Sequence, residues 1–187
     1  MYEVELKVEA DHGPVRRALD DAGATPVGRV RQVDTYYDAP HREFAETDEA
    51  LRLRRETELE DDEALITTTK MTYKGPLVEA ESKTREEHET GVDDGEAAAG
   101  ILDGLGFEPA ATVEKERERF TLDGYTVTLD SVDGVGSFVE VEQETTEDGI
   151  QAARRGAQTL LRDLGLDPEE QVRTSYLGLL LAGDTQE

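Results

Sequence analysis

The 187-residue sequence predicts an α+β fold: a closed or nearly closed eight-stranded antiparallel β-barrel with helices packed outside, forming a single domain over 1–187. Three observations carry this. Polar and apolar residues alternate with period two in eight separate runs. Four other segments show the three-and-four spacing of amphipathic helices. The polar face of most strands is charged, while the partner face is apolar and needs cover. A composition of 36% hydrophobic residues supports one sizeable core and leaves little for a second.

The strands fall at 2–8, 31–38, 50–55, 65–74, 82–89, 113–122, 125–132 and 138–143. A first helix over 14–23 opens on Pro14, whose fixed φ suits a first turn, and carries Val15, Ala18, Leu19 and Ala22 on one stripe. A second covers 96–105, with Ala98, Ile101, Leu102 and Leu105. A third covers 148–164, with Ile150, Ala153, Ala157, Leu160, Leu161 and Leu164. The last follows Pro168 over 169–181, apolar at Val172, Tyr176, Leu179 and Leu180. Residues 58–63 and 90–95 read as loops too short for domain linkers. Asp123-Gly124 between two alternating runs specifies a two-residue hairpin that pairs Leu122 with Tyr125 and sets Arg117 opposite Asp130. A five-residue connection over 133–137 then puts Asp130 opposite Glu140 and Thr128 opposite Glu142.

The formal charge is −25, from 45 acids against 20 Lys and Arg. The acids are spread between apolar segments rather than gathered in a tail, so they read as a solvated surface of the kind that keeps proteins soluble in a salt-rich cytoplasm. Such a surface repels nucleic acid and anionic membranes. With no Cys there is no disulfide, thiolate nucleophile or Cys-based zinc site. His12, His41 and His88 lack metal-ligand spacing. No apolar run reaches membrane-span length, and the expectation is a cytoplasmic protein. The apolar outer faces leave room for a homodimer as well as for helices.

The cations are placed selectively. All five lysines, Lys7, Lys70, Lys74, Lys83 and Lys115, fall inside predicted strands. Alternation puts Lys7 on one face with Glu3 and Glu5, and likewise groups Arg52 with Arg54, Lys70 with Lys74, Lys83 with Arg85, and Lys115 with Arg117 and Arg119. A polar lining implies a wide, wet barrel interior, and clustered cations attract a polyanion such as a triphosphate, with Arg as a fork and Lys as a point charge. On the same faces lie Glu3, Glu5, Asp130, Glu140 and Glu142. Crowded carboxylates destabilise a sheet unless something positive sits between them, and oxygen-only ligands beside phosphate suit Mg²⁺ or Mn²⁺. The competing reading is a solvent-facing sheet decorated with weak surface ion pairs. No P-loop is present.

These residues resemble a known family. EVELK at 3–7 matches the ExExK signature of the CYTH superfamily, the triphosphate tunnel metalloenzymes. DTYYDAP at 34–40, LRLR at 51–54, TYKGP at 72–76, REEHE at 85–89, VEKERERF at 113–120, TLDSV at 128–132, FVEVE at 138–142 and SYLGLL at 175–180 follow in the family's order. The resemblance implies metal binding by Glu3, Glu5, Asp130, Glu140 and Glu142. It implies substrate binding by Lys7, Arg52, Arg54, Lys74, Arg85, Lys115 and Arg117, with Lys7, Arg54 and Lys74 as catalytic candidates. Lys70, Lys83 and Arg119 share the charged faces, Glu87 is a further candidate ligand or arginine partner, and Tyr36, Tyr37 and Tyr73 read as wall or core aromatics.

The implied activity is Mg²⁺- or Mn²⁺-dependent and most like a class IV adenylyl cyclase, converting ATP to cyclic AMP and pyrophosphate. Two alternatives stay open. One is a triphosphatase acting on inorganic triphosphate, thiamine triphosphate or a nucleoside triphosphate; the other is a noncatalytic polyphosphate- or nucleotide-binding module.

Overall fold

The computed structural model describes residues 1–61, 63–79 and 81–184. Eight strands run β1 Tyr2–Glu9, β2 Thr25–Asp38, β3 Ala50–Glu60, β4 Glu63–Glu79, β5 Lys83–Val92, β6 Glu108–Leu122, β7 Tyr125–Val132 and β8 Gly136–Thr145. The helices are α1 His12–Asp21, the single turn α2 Phe44–Thr47, α3 Gly95–Gly104, α4 Ile150–Asp163 and α5 Tyr176–Asp184. The strands close in the order β1-β5-β4-β3-β2-β6-β7-β8, every pair antiparallel, so no sheet edge is left open.

Alternation decides which side of the wall each residue faces. Leu6 and Val8 of β1, Val127 and Leu129 of β7, and Val139 and Val141 of β8 turn outward and are sealed by Val15 and Leu19 of α1 and by Ala157, Leu160 and Leu161 of α4. Burying each such side chain contributes about 1.5–3 kcal/mol. Gly156 lets α4 close on β7, since a Cβ there would collide with the phenol oxygen of Tyr125, which donates to the Ala153 carbonyl at 2.9 Å. On the far side of the barrel Tyr37 and Leu53 pack beneath Ala98 and Leu102 of α3. That helix starts where the Asp94 side chain accepts from Ala97 N at 2.9 Å.

Four sequence expectations are corrected. β2 begins at Thr25, since Pro26 and Gly28 sit at a register shift that masks the alternation there. The predicted loop at 58–63 is in its described residues mostly strand, with Asp62 outside the described residues, and β5 runs on to Val92. The hairpin Asp123-Gly124 forms as expected, with Leu122 opposite Tyr125 and Arg117 opposite Asp130. The next connection is tighter than expected, however: Val132 pairs with Gly136, so Asp130 faces Phe138, and Glu140 and Glu142 face Thr128 and Thr126. Finally, the helix expected over 169–181 is broken. Pro168–Glu170 makes one 3-10 turn, and the chain then runs without regular structure to α5. In that stretch Val172 N donates to the Lys7 carbonyl at 2.7 Å, and the Thr174 carbonyl accepts from Lys7 Nζ at 2.7 Å. A helix would need those same backbone groups for itself.

Candidate functional site

The inward faces enclose a cavity of about 950 Å³. It is lined by Lys7, Arg52, Arg54, Lys70, Lys74, Lys83, Arg85, Lys115, Arg117 and Arg119, which are ten of the chain's 20 basic residues. Glu3, Glu5, Glu140 and Glu142 line it too. Asp130 is inward but sealed beneath Arg117 and Lys115. The reading of these charges as solvent-facing decoration fails on exposure: Lys7 is 2% exposed, Lys115 and Glu140 4%, and Asp130 0%.

Buried charges survive only when paired. Arg54 donates to Asp34 through Nε and Nη2, both at 2.7 Å, and Asp34 also lies 3.7 Å from Arg52. Burial pushes the Asp34 carboxyl up, but Arg54 outweighs it and holds the group well below the usual range. Arg117 grips Asp130 at 2.7 and 2.6 Å and Glu140 at 2.6 Å. Each arginine keeps one terminal nitrogen without a protein partner among the described residues. Lys74 bridges Glu3 at 2.9 Å and Glu87 at 2.8 Å. Despite the cost of burial, Lys74 draws Glu3 down to about 2, while burial keeps Glu87 raised.

At one end the C-terminal segment forms a floor. Tyr176 donates its phenol to Asp130 at 2.8 Å, and Lys7 and Lys115 stand 4.2 and 4.7 Å from its ring centroid. Burial lowers both ammonium groups to about 8, helped by Lys83 at Lys7 and by Arg117 at Lys115. Arg85 donates to the Asp48 carbonyl at 2.8 Å and carboxylate at 3.1 Å, so the loop after α2 is tied to a cavity cation.

Glu3, Glu5 and Glu142 bring carboxylate oxygens within 4.8 Å of one another. Glu5 Oε1 is buried without a hydrogen-bond partner, and burial followed by the nearby Glu3 pushes Glu142 up to about 8. Three crowded carboxylates, one of them reluctant to ionise, fit a hard divalent cation with oxygen ligands. Asp130 and Glu140 stand apart from that cluster, engaged by Arg117.

Among the remaining candidates, Lys70 pairs with Glu89 at 3.1 Å, Lys83 approaches Glu5 at 3.8 Å, and Arg119 holds Glu56 at 2.6 Å. Tyr36 lines the cavity from within. Tyr37 packs on the outer side under α3 although it also touches the cavity, and Tyr73 stacks on His88 and donates to Glu49. Sequence reasoning missed Asp34, Glu56, Gln32, Asp48 and Tyr176. The parity of alternation places Gln32, Asp34 and Glu56 inside, and that signal could have found them.

The CYTH domain model matches residues 1–176. MJ0240 of Methanocaldococcus jannaschii, provisionally named an adenylate cyclase, is 33% identical over 181 residues, which is 96% of this chain and 98% of that one. The solved PH1819 protein of Pyrococcus horikoshii is 36% identical, with a TM-score of 0.86 and coverage of 96% of this chain and 98% of that one. A Vibrio parahaemolyticus structure, also provisionally named an adenylate cyclase, shares the fold at a TM-score of 0.81, with 24% identity and coverage of 97% and 98%. Together with the closed barrel and its charged interior, these matches mean that the chain belongs to the CYTH domain family.

Proposed function

We propose that this protein is a divalent-metal-dependent enzyme acting on a triphosphate held in the barrel, and that its reaction is the class IV adenylyl cyclase conversion of ATP to cyclic AMP and pyrophosphate. The observation that carries the reading is the convergence of ten cations on one cavity beside three carboxylates within 4.8 Å. A pure anion binder has no use for those acids, which weaken phosphate binding unless a cation joins them.

Arg52, Arg54, Lys74, Arg85, Lys115, Arg117 and Lys7 are positioned to neutralise the phosphate chain, and the residual donors of Arg54 and Arg117 offer charge-assisted hydrogen bonds without reorganisation. Glu3, Glu5 and Glu142 would hold Mg²⁺ or Mn²⁺, with Asp130 and Glu140 as more distant candidates behind Arg117. Bound there, the ion supplies charge neutralisation and eases loss of a proton from the attacking hydroxyl. In the cyclase reaction the ribose 3′-oxygen bonds to the α-phosphorus as the α–β bridging bond breaks in line, and pyrophosphate leaves. The chain's contribution is alignment of the phosphates and stabilisation of the charge that develops on the leaving group. Hydrolysis is the second reading, because the same lining serves a water attacking the terminal phosphorus.

Incubating the protein with ATP, inorganic triphosphate and thiamine triphosphate, each with Mg²⁺ or Mn²⁺, separates the readings by product. Cyclic AMP with pyrophosphate supports the cyclase, released phosphate replaces it with a triphosphatase, and binding without turnover overturns both.

A further inference from the structure

The cavity arginines are not all held in the same way. Arg54, Arg117 and Arg119 take their carboxylates from Asp34, Asp130 and Glu56, each on a strand of the barrel wall. Arg85 is held from a loop: among the described residues its ion-pair partner is Asp48, which directly follows α2. A carboxylate carried by a strand cannot leave without breaking the sheet, whereas one carried by a loop can. The loop is fastened at both ends. Pro40 lies so close to Gly106 that a Cβ there would come within 3.2 Å of its ring, and His41 stands edge-on to Phe107. At the other end Glu49 accepts from Tyr73 of β4 and meets Arg42 at 2.9 Å. Between those anchors only Phe44 is buried, which is the low contact density of segments that open locally. Ala45 and Asp48 line the cavity yet are exposed, so the span runs along an opening.

Residues 41–49 carry Glu43, Glu46, Asp48 and Glu49 against Arg42, an acidic stretch beside a cationic cavity. We propose that this segment is an acidic strap that occupies Arg85 while the barrel is empty and is released when a triphosphate takes that arginine. The inference rests on the charged cavity receiving a triphosphate, and it holds for cyclisation and hydrolysis alike. In the empty barrel the Asp48 carboxylate stands in for a phosphate oxygen, 3.1 Å from Arg85 Nη2, with the Asp48 carbonyl 2.8 Å from Nη1. The Arg85 side chain is 9% exposed and that of Asp48 62%, so the pair couples a buried cation to a solvent-facing acid. A polyanion offers the guanidinium paired oxygens of higher charge, and the fork suits them. Once bound, it also repels the carboxylates of the strap, so attraction to the empty cavity becomes repulsion from the filled one. The left-handed backbone at Asp48, with φ 54°, is one that Asp and Asn adopt more readily than other non-glycine residues. Asn therefore keeps the turn and removes only the charge.

The test measures binding of inorganic triphosphate with Mg²⁺ by calorimetry, and amide exchange over residues 43–49, for the wild type, Asp48→Asn and Glu46→Gln. Glu46 is exposed on the same segment and is not among the groups that hold Arg85, so its substitution removes the same charge without the latch. A thermal melt of each variant checks folding. In the wild type the amides of Glu46 and Glu49, which donate to the Glu43 and Phe44 carbonyls, are expected to exchange faster once the ligand binds. Asp48→Asn is expected to exchange fast without ligand and to show no further increase. It should bind roughly three- to fivefold more tightly, because no carboxylate has to be displaced. Glu46→Gln should keep the wild-type increase and change affinity by less than about twofold. A segment that gains protection or stays unchanged on binding, an unchanged affinity in Asp48→Asn, or an equal gain in Glu46→Gln overturns the strap while sparing the triphosphate site. A wild type that does not bind triphosphate overturns the reading of the cavity, and the strap with it.

Discussion

Arg54 and Asp34 face each other across the β2–β3 pair and meet through two hydrogen bonds of 2.7 Å, with both side chains nearly sealed from solvent. The arginine is thus held in place by its own carboxylate before any ligand arrives. Asp34→Asn keeps the shape but leaves a buried guanidinium facing other cations. Removing one partner of a buried pair costs about 3–5 kcal/mol. We expect a loss of that order in denaturant unfolding of the ligand-free variant, partly recovered by inorganic triphosphate, which supplies negative charge. Unchanged stability in Asp34→Asn would show that the pair is not what holds Arg54.

Lys7 and Lys115 share one tyrosine ring and both lose their protons near pH 8, well below an ordinary lysine. In the empty barrel they are charged below that pH and neutral above it, so a polyanion binding at higher pH must recapture protons. Affinity for inorganic triphosphate should therefore fall between about pH 7 and pH 9.5, with proton uptake measurable by calorimetry in two buffers. Lys7→Met should weaken binding at neutral pH and flatten the decline. A pH-independent affinity would remove both lysines from the ligand's contact set.

The charged lining was legible because strand alternation fixes sides before it fixes partners. The expected pairing of Asp130 with Glu140 was displaced by two residues, yet both still face inward, since a slip of two preserves the face and a slip of one reverses it. Pairing was not legible. Asp34, Glu56 and Gln32 become partners of Arg54, Arg119 and Glu56 only because barrel closure sets β2 between β3 and β6. Tyr176 was hidden for another reason. Its spacing with Val172, Leu179 and Leu180 reads as one helix, but bonds to Lys7 from Val172 and Thr174 outweigh that local preference.

Glu56 accepts from Gln32 and Arg119, each at 2.6 Å. Burial raises its carboxyl, but the Arg119 and Gln32 hydrogen bonds prevail and bring it to about 2. In the unfolded chain the group titrates near 4.3. Its folded value is depressed, so its contribution to stability is present above about pH 4.3 and is lost as pH falls towards 2. Glu56→Gln should lower the melting temperature at pH 6 but not near pH 2, so the two melting curves converge in acid. A constant difference across that range would contradict the assignment.

Glu142 is the opposite case and tests the metal directly. It lies with Glu3 and Glu5 in a cluster whose oxygens are within 4.8 Å, and its folded value is raised to about 8 against about 4.3 unfolded. The native state then holds a proton that the unfolded state has released, so metal-free protein should lose stability as pH climbs from about 4.3 to 8 and stay low above it. Glu142→Gln cannot ionise, so in the presence of a chelator it should melt higher than the wild type at about pH 9 and similarly at about pH 5. Adding Mg²⁺ or Mn²⁺ should raise the melting temperature of the wild type through binding to the native state alone, and raise that of the variant less. Turnover by the variant should fall by roughly 10² or more, with partial recovery at high metal concentration if affinity is the main defect. Glu140→Gln provides the contrast, because Glu140 is clasped by Arg117 at 2.6 Å and neutralising it breaks a buried pair. That variant should be less stable with or without metal. If the two substitutions behave alike, or if the metal stabilises Glu142→Gln as much as the wild type, the Glu3, Glu5 and Glu142 cluster is not where the ion binds.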